Sequence, residues 1–195
     1  ACCLNGFERM SFKANKNVVI FGAGPIGYLI AILSIYYGSN KVFLIDGNQR
    51  RLELGFKNKN LFKLNLKDFS KKINNILNKK EQIDYGFVAC NSPKAQQEIL
   101  NLIKEKGTIN FFSGLKNNKK KVKVNLDTNL IHYKQLKIVG SHGSTKKNLI
   151  TAAKLIVDKK INLSKIITNK YSIKNYAAAF KKSRSGDSLK VIINP

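Results

Sequence analysis

An apolar run, Val18-Val19-Ile20-Phe21, passes directly into Gly22-Ala23-Gly24-Pro25-Ile26-Gly27 and then into a long apolar stretch, and Asp46 closes the next run, Val42-Phe43-Leu44-Ile45. This succession demands a buried strand, a sharp turn and a helix, one directly after another, followed by a second strand ending in an acid. A G-x-G-x-x-G pattern alone is weak, because glycine-rich turns are frequent. With the strand before it, the helix after it and the distal acid, it reads as the phosphate-binding turn of a dinucleotide site. The competing reading is a glycine-rich turn in which Asp46 merely caps the following helix.

Each residue of the pattern has a physical role. Gly22 permits the tight turn, Gly24 lets the backbone approach a pyrophosphate without a Cβ in the way, and Gly27 allows close packing of helix on strand. Pro25 falls in the first helical turn, where its missing N–H costs nothing, while the amides of Ile26 and Gly27 point toward an anion. Asp46 can accept hydrogen bonds from both adenosine ribose hydroxyls and would repel a 2′-phosphate, which favours NAD over NADP. Arg50 and Arg51 follow within a turn of helix and would suit a 2′-phosphate, so the choice of cofactor stays open at this level.

The formal net charge of +25 would ordinarily direct attention to nucleic acid or an anionic membrane surface. The basic residues, however, are 32 Lys and only 4 Arg, beside 23 Asn, and they are spread from Lys13 to Lys190 instead of forming a stripe. Groove and phosphate readers lean on the bidentate fork of Arg. A general Lys and Asn bias explains the charge, and no nucleic-acid partner is expected. The local cluster Lys116, Lys119, Lys120, Lys121 and Lys123 reads as a solvated loop. Cys2, Cys3 and Cys90 make an odd count without C-x-x-C spacing, so neither a disulfide framework nor a zinc knuckle is indicated and a reducing, cytoplasmic setting is expected. No basic segment precedes an apolar core at the start, as a secretory signal would require. Val18 to Tyr37 is nearly uncharged and about long enough to span a bilayer. Three Gly and a Pro divide it into a short strand and a helix, and a buried parallel strand with its crossover helix is apolar for the same reason a membrane helix is.

Further along, the pattern predicts a strand over 42–46, a helix over 49–56, a short strand over 61–64, a helix over 69–77 and a buried strand over 84–89. A helix opening at Ser92 or Pro93 is expected to run to about Lys104 and stop at Gly107, before strands over 108–112 and 136–140. Helices from Thr145 to about Val157 and from Asn175 to Lys182 precede a last strand, Leu189 to Ile193. Six strands separated by helices call for right-handed crossovers. The expected fold is therefore α/β, a Rossmann doubly wound parallel sheet of order 3-2-1-4-5-6 with helices on both faces. Its crevice at the strand carboxyl ends would gather Gly22, Asp46, Ala89-Cys90-Asn91, Ser113-Gly114-Leu115 and Ser141-His142-Gly143 around one dinucleotide.

Taken together, Ala1-Cys2-Cys3-Leu4-Asn5-Gly6, VVIFGAGPIG, Asp46 with Arg51 five residues later, Gly107 to Gly114, DTNLIHYKQLKIVGSHGS and LKVIINP resemble the medium-chain zinc-dependent alcohol and polyol dehydrogenases. The likeness runs over essentially the whole chain and is nearest to the sorbitol and threonine dehydrogenase branch. It implies that residues 1–195 form one NAD-binding Rossmann domain, with 1–16 as a junction helix and 165–195 as a segment that packs on a catalytic domain. The resemblance also implies that this N-terminal catalytic domain, with its Cys and His zinc ligands, is missing here, that the whole protein oxidises a secondary alcohol or polyol by hydride transfer to NAD, and that it forms homo-oligomers. The family places no zinc ligand at Cys2, Cys3 or Cys90, so zinc belongs only to the missing domain, and the chain alone would be inactive. The implied cofactor contacts are Gly22, Gly24, Pro25, Ile26, Gly27, Asp46, Arg51, Cys90, Ser113, Gly114, Ser141 and His142, with the nicotinamide held by backbone near Ser113 and Ser141. His142 either borders the nicotinamide or is a plain loop residue; His132 is expected in a short helix, and the Cys2-Cys3 pair in a helix at the junction. The alternatives are a stand-alone NAD-binding module without activity and, last, a charge-driven nucleic-acid binder.

Overall fold

The computed structural model describes residues 1–115 and 122–195; Lys116, Lys119, Lys120 and Lys121 of the basic cluster lie outside them. The chain opens with helix α1 (Cys2–Met10), followed by β1 (Asn17–Phe21), α2 (Pro25–Tyr36), β2 (Lys41–Asp46), α3 (Gln49–Glu53) and β3 (Leu61–Asn65). Next come α4 (Phe69–Ile76), β4 (Ile83–Val88), α5 (Pro93–Leu102), β5 (Ile103–Phe111), α6 (Thr128–Tyr133) and β6 (Lys137–Gly140). The last part holds α7 (Lys146–Val157), β7 (Ile167–Ser172), a 3-10 turn over Ile173–Asn175, α8 (Tyr176–Arg184) and β8 (Lys190–Asn194).

The first six strands form one parallel sheet in the order β3-β2-β1-β4-β5-β6, the expected Rossmann order. β1 lies at the centre, pairing Val18 with Val42 on one side and with Tyr85 on the other. Water is excluded from both faces, which is why this strand is apolar at nearly every position instead of alternating. Successive side chains still point to opposite faces. Val18 and Ile20 join a core with Leu4, Phe7, Tyr28, Ile30 and Leu155 from α1, α2 and α7. Val19 and Phe21 join the core on the other face with Phe69, Ile73, Ile99 and Leu100 from α4 and α5. α2 is apolar around most of its circumference because α1 and the sheet cover it. Among the described residues no helix is long and apolar enough to cross a membrane.

Four elements, α3, α5, β5 and β7, differ from the sequence expectation. α3 stops at Glu53 instead of reaching Phe56, because the Leu54 carbonyl accepts hydrogen bonds from the Tyr28 hydroxyl at 2.6 Å and Lys63 Nζ at 2.7 Å, and Gly55 turns away with φ 77°. α5 ends at Leu102, and Gly107 lies inside a strand instead of closing the helix. β5 pairs Ile103 with Ile83, slips past a bulge where Lys106 takes φ 59°, and resumes with Thr108 opposite Tyr85. β7 was not foreseen. Its partner β8 forms a separate two-stranded parallel sheet with it, braced by the Leu189 N–H donating to Thr168 Oγ1 at 3.1 Å.

Two glycines of the corner should separate fold from function. A Cβ on Gly27 would run into the Gly22 carbonyl, which is backbone and has nowhere to go, whereas a Cβ on Gly24 meets nothing within 4 Å. Gly27→Ala is therefore expected to cost about 3 kcal/mol or more, and Gly24→Ala no more than about 1 kcal/mol, measured by urea denaturation.

Candidate functional site

The corner after β1 is held by backbone contacts. Gly22 adopts φ 108°, a left-handed region that side chains strain to enter, and its N–H donates to the Ile45 carbonyl at 2.7 Å. A Cβ there would stand 2.9 Å from the Ala89 carbonyl, so the corner is wedged between the ends of β2 and β4. Gly24 is the extended N-cap of α2 and Pro25 is its first residue, with no side chain capping the helix start. The amides of Ile26 and Gly27 thus lack a side-chain acceptor at the positive end of a 12-residue helix, an arrangement suited to an anion.

Asp46 stands across from that helix start. Its Oδ2 accepts the Ala23 N–H at 2.7 Å and its Oδ1 accepts the Asn48 N–H at 2.8 Å. One carboxylate therefore ties the glycine corner to the loop after β2, and each oxygen keeps lone-pair capacity for a further donor. It does not cap α3. That role falls to Asn48, whose side chain accepts the Arg51 N–H at 3.2 Å.

Gly22, Asp46, Arg51 and Cys90 line one cleft of about 330 Å³, walled by Phe69 and Ala95. Burial raises the Cys90 thiol above its ordinary pKa; the Ser92 backbone hydrogen bond opposes this and the nearby Asp46 carboxylate adds to it. Arg51 is aimed from the side. Its Nε donates to the Gly186 carbonyl at 3.3 Å, while Arg50 Nη1 pairs with Asp187 Oδ2 at 3.3 Å. A larger cavity of about 630 Å³ lies near the far end of α2, against Ile35, Tyr36, Phe56 and Lys57, and holds none of the sequence-predicted site residues.

The remaining sequence-predicted residues are placed elsewhere. The Ser113 N–H donates to the Val88 carbonyl at 2.9 Å, and Ser113 and Gly114 follow β5 without lining the cleft. Ser141 Oγ donates to Asn110 Oδ1 at 3.0 Å, and Asn110 Nδ2 donates to the Gly6 carbonyl at 3.1 Å. Ser141 and His142 border a different cavity, of about 380 Å³, together with Asn5, Arg9 and Thr145. Asn5 Nδ2 holds that loop by donating to the carbonyls of His142 and Gly143. His132 lies in the short helix α6, as expected, and the Cys2-Cys3 pair lies in α1 with Cys3 buried. Among the described residues no three His, Cys, Asp or Glu side chains gather as metal ligands. Sequence reasoning missed Asn48, whose signal was an Asn just before the helix-forming QRRLE, and the Gly186-Asp187 loop, 135 residues from Arg51 and without a local signal.

The Ala23 N–H is buried and has Asp46 as its acceptor. Asp46→Ala should therefore lower stability by about 1–3 kcal/mol, and Asp46→Asn by less, because one carbonyl oxygen remains to accept; thermal denaturation of the two variants beside wild type measures this.

The family model for zinc-binding dehydrogenases matches residues 25–158. L-threonine 3-dehydrogenase of Yersinia enterocolitica is 29% identical over 184 residues, 92% of this chain and 51% of that protein. A Sinorhizobium meliloti structure assigned to the zinc-binding dehydrogenases and bound to NADP is 20% identical with a TM-score of 0.82, and covers 100% of this chain and 56% of its own. An Escherichia coli alcohol dehydrogenase complexed with NADH is 20% identical with a TM-score of 0.79, covering 97% of this chain and 55% of that one. At such identities the structural likeness is one of fold. The chain spans about half the length of the curated relatives it matches.

Proposed function

Because the chain belongs to the zinc-binding dehydrogenase family, we propose that it is the NAD(H)-binding half of a zinc-dependent dehydrogenase that oxidises a polyol or other secondary alcohol. The observation that carries this reading is the Asp46 carboxylate, held by the Ala23 N–H at 2.7 Å beside the uncapped start of α2. Two linked phosphates would take the amides of Ile26 and Gly27, and the adenosine ribose diol would take the lone pairs that Asp46 has left. Nicotinamide, when bound, supplies the hydride acceptor; this chain supplies binding and orientation.

The work left to other parts of the protein follows from the same residues. Among the described residues nothing fits a catalytic zinc, so activation of the alcohol is assigned to the portion of the relatives that this chain does not span. Residues 1–16 would be the junction with that portion and residues 165–195 would pack on it. Ile173, Tyr176 and Phe180, each more than half exposed, are suited to such a contact. The absence of a metal cluster among the described residues also leaves a second reading, an NAD-binding module without activity. Alcohol-dependent NADH formation by the protein as it occurs in its source cell separates the two.

Fluorescence titration of the full chain with NADH is expected to show saturable binding. It should be weakened about 10- to 100-fold in Asp46→Ala, the loss of one or two charge-assisted hydrogen bonds. Unchanged affinity in that variant would defeat the ribose role. In a parallel experiment at pH 8.5, where more of the raised Cys90 thiol is ionised than at neutral pH, bound NADH should slow alkylation of Cys90, which lines the cleft, and leave the exposed Cys2 reacting as before, as read by peptide mass mapping.

A further inference from the structure

We propose that the loop Ser185-Gly186-Asp187 is a specificity-determining element of the cleft, acting through Arg50 and Arg51 to favour a dinucleotide with a free ribose 2′-hydroxyl over one carrying a 2′-phosphate. The inference rests on the cofactor reading above and goes beyond it by assigning the choice between cofactors to a segment distant in sequence.

A 2′-phosphate is bound by uncommitted guanidinium groups, which match it with paired, charge-assisted hydrogen bonds. This chain has four arginines, and two of them, Arg50 and Arg51, follow the ribose-facing acid. Consecutive residues of the C-terminal loop hold both. Asp187 neutralises Arg50 across 3.3 Å, and the Gly186 carbonyl takes Arg51 Nε at the same distance. The loop itself is anchored. Gly186 turns with φ 76°, Ser185 Oγ donates to the Lys182 carbonyl at 2.9 Å, and the Asp187 N–H donates to Ser185 Oγ at 3.3 Å. Beyond it the Ser188 hydroxyl donates to the Lys182 carbonyl at 3.2 Å, and Leu189 is tied to β7 through Thr168.

The charge count at this rim is unlike the rest of the molecule. Lys and Arg outnumber Asp and Glu by 36 to 11 overall. Around the cleft acids and bases are equal in number, Arg51 and Lys94 beside Asp46 and Glu98, and Arg50 is paired with Asp187. A dianionic 2′-phosphate would meet a rim without excess positive charge, with Arg50 held by Asp187 and the Asp46 carboxylate nearby. Removing the Asp187 charge would leave Arg50 uncompensated within one turn of helix from Asp46.

The test titrates NADH and NADPH against the full chain in wild type, Asp187→Asn, Arg50→Ala and the double variant, at low ionic strength. Wild type is expected to bind NADH more tightly than NADPH. Asp187→Asn should strengthen NADPH about 5- to 10-fold and leave NADH within about twofold, a gain that shrinks as salt is added. Arg50→Ala breaks the same ion pair from its other side and should weaken NADPH, and it should abolish the gain from Asp187→Asn in the double variant. A merely structural loop would move both single variants in the same direction for both cofactors, and that result would overturn the proposal. So would an unchanged NADPH-to-NADH ratio in Asp187→Asn, or tighter NADPH binding by wild type. Failure of wild type to bind either dinucleotide would overturn the cofactor reading together with this inference, whereas normal NADH binding with an unmoved ratio overturns this inference alone.

Discussion

One hydrogen bond organises the cleft: the Ala23 N–H donates to Asp46 Oδ2 at 2.7 Å. It joins the corner after β1 to the end of β2, two strands already paired along five residue positions. The sheet register thus delivers the acid to the corner, and the bond only has to fix its last rotamer. Its geometry also makes the acid serve two ends at once, because Oδ1 holds the Asn48 amide at the start of α3. Any change at Asp46 is felt at both the glycine corner and the helix that carries Arg50 and Arg51. Structure and binding are coupled there, so a loss of affinity on substitution carries meaning only beside a measurement of stability.

The central sheet was legible in the sequence because its strands are buried on both faces. Apolar runs such as VVIF, and VFLI ending in Asp46, are short and bounded by turn residues, as strands buried on both faces are, and the alternation of strands with helical patterns leaves a parallel sheet as the economical order. What was illegible depended on contacts between distant residues. Nothing local in QRRLELGF says that the Tyr28 hydroxyl and Lys63 will both claim the Leu54 carbonyl and end the helix early. Lys106 entering φ 59° and Gly107 continuing a strand follow from pairing with β4, since β5 must shift register between Ile83 and Tyr85. β7 reads Ile-Thr-Asn-Lys-Tyr-Ser, polar at most positions and with none fully buried, so it lacks the periodicity by which a strand is recognised.

The candidate site divides along the same line. Gly22, Asp46, Arg51 and Cys90 were legible because each stands at or just past the end of a strand or corner that the pattern itself identifies, and they line one cleft. Ser141 and His142 also follow a strand end, yet they border another cavity. β6 is the edge of the sheet, and Asn5 of α1 draws the loop after it toward the helix side. Position at a strand end is therefore not sufficient for this cleft.

Acids are scarce in this chain, and their placement is correspondingly informative. Asp84 is buried, accepts the Asn17 N–H at 2.9 Å and faces Lys16 and Lys104, stitching the beginnings of β1, β4 and β5. Glu81 pairs with Lys41 and also accepts from Asn40 and from the Asn78 N–H, contacts that lower its pKa and close the loop before β4. Both stand at the amino ends of the strands, where they serve the fold. Asp46 and Asp187 stand on the opposite side, one accepting backbone amides and the other an arginine. A surface pair as exposed as Arg50 and Asp187 contributes little to stability, since water and salt screen it. On the cofactor reading proposed above, the part left to Asp187 is to cancel Arg50 beside a bound dinucleotide, an effect that the same screening makes steepest at low salt.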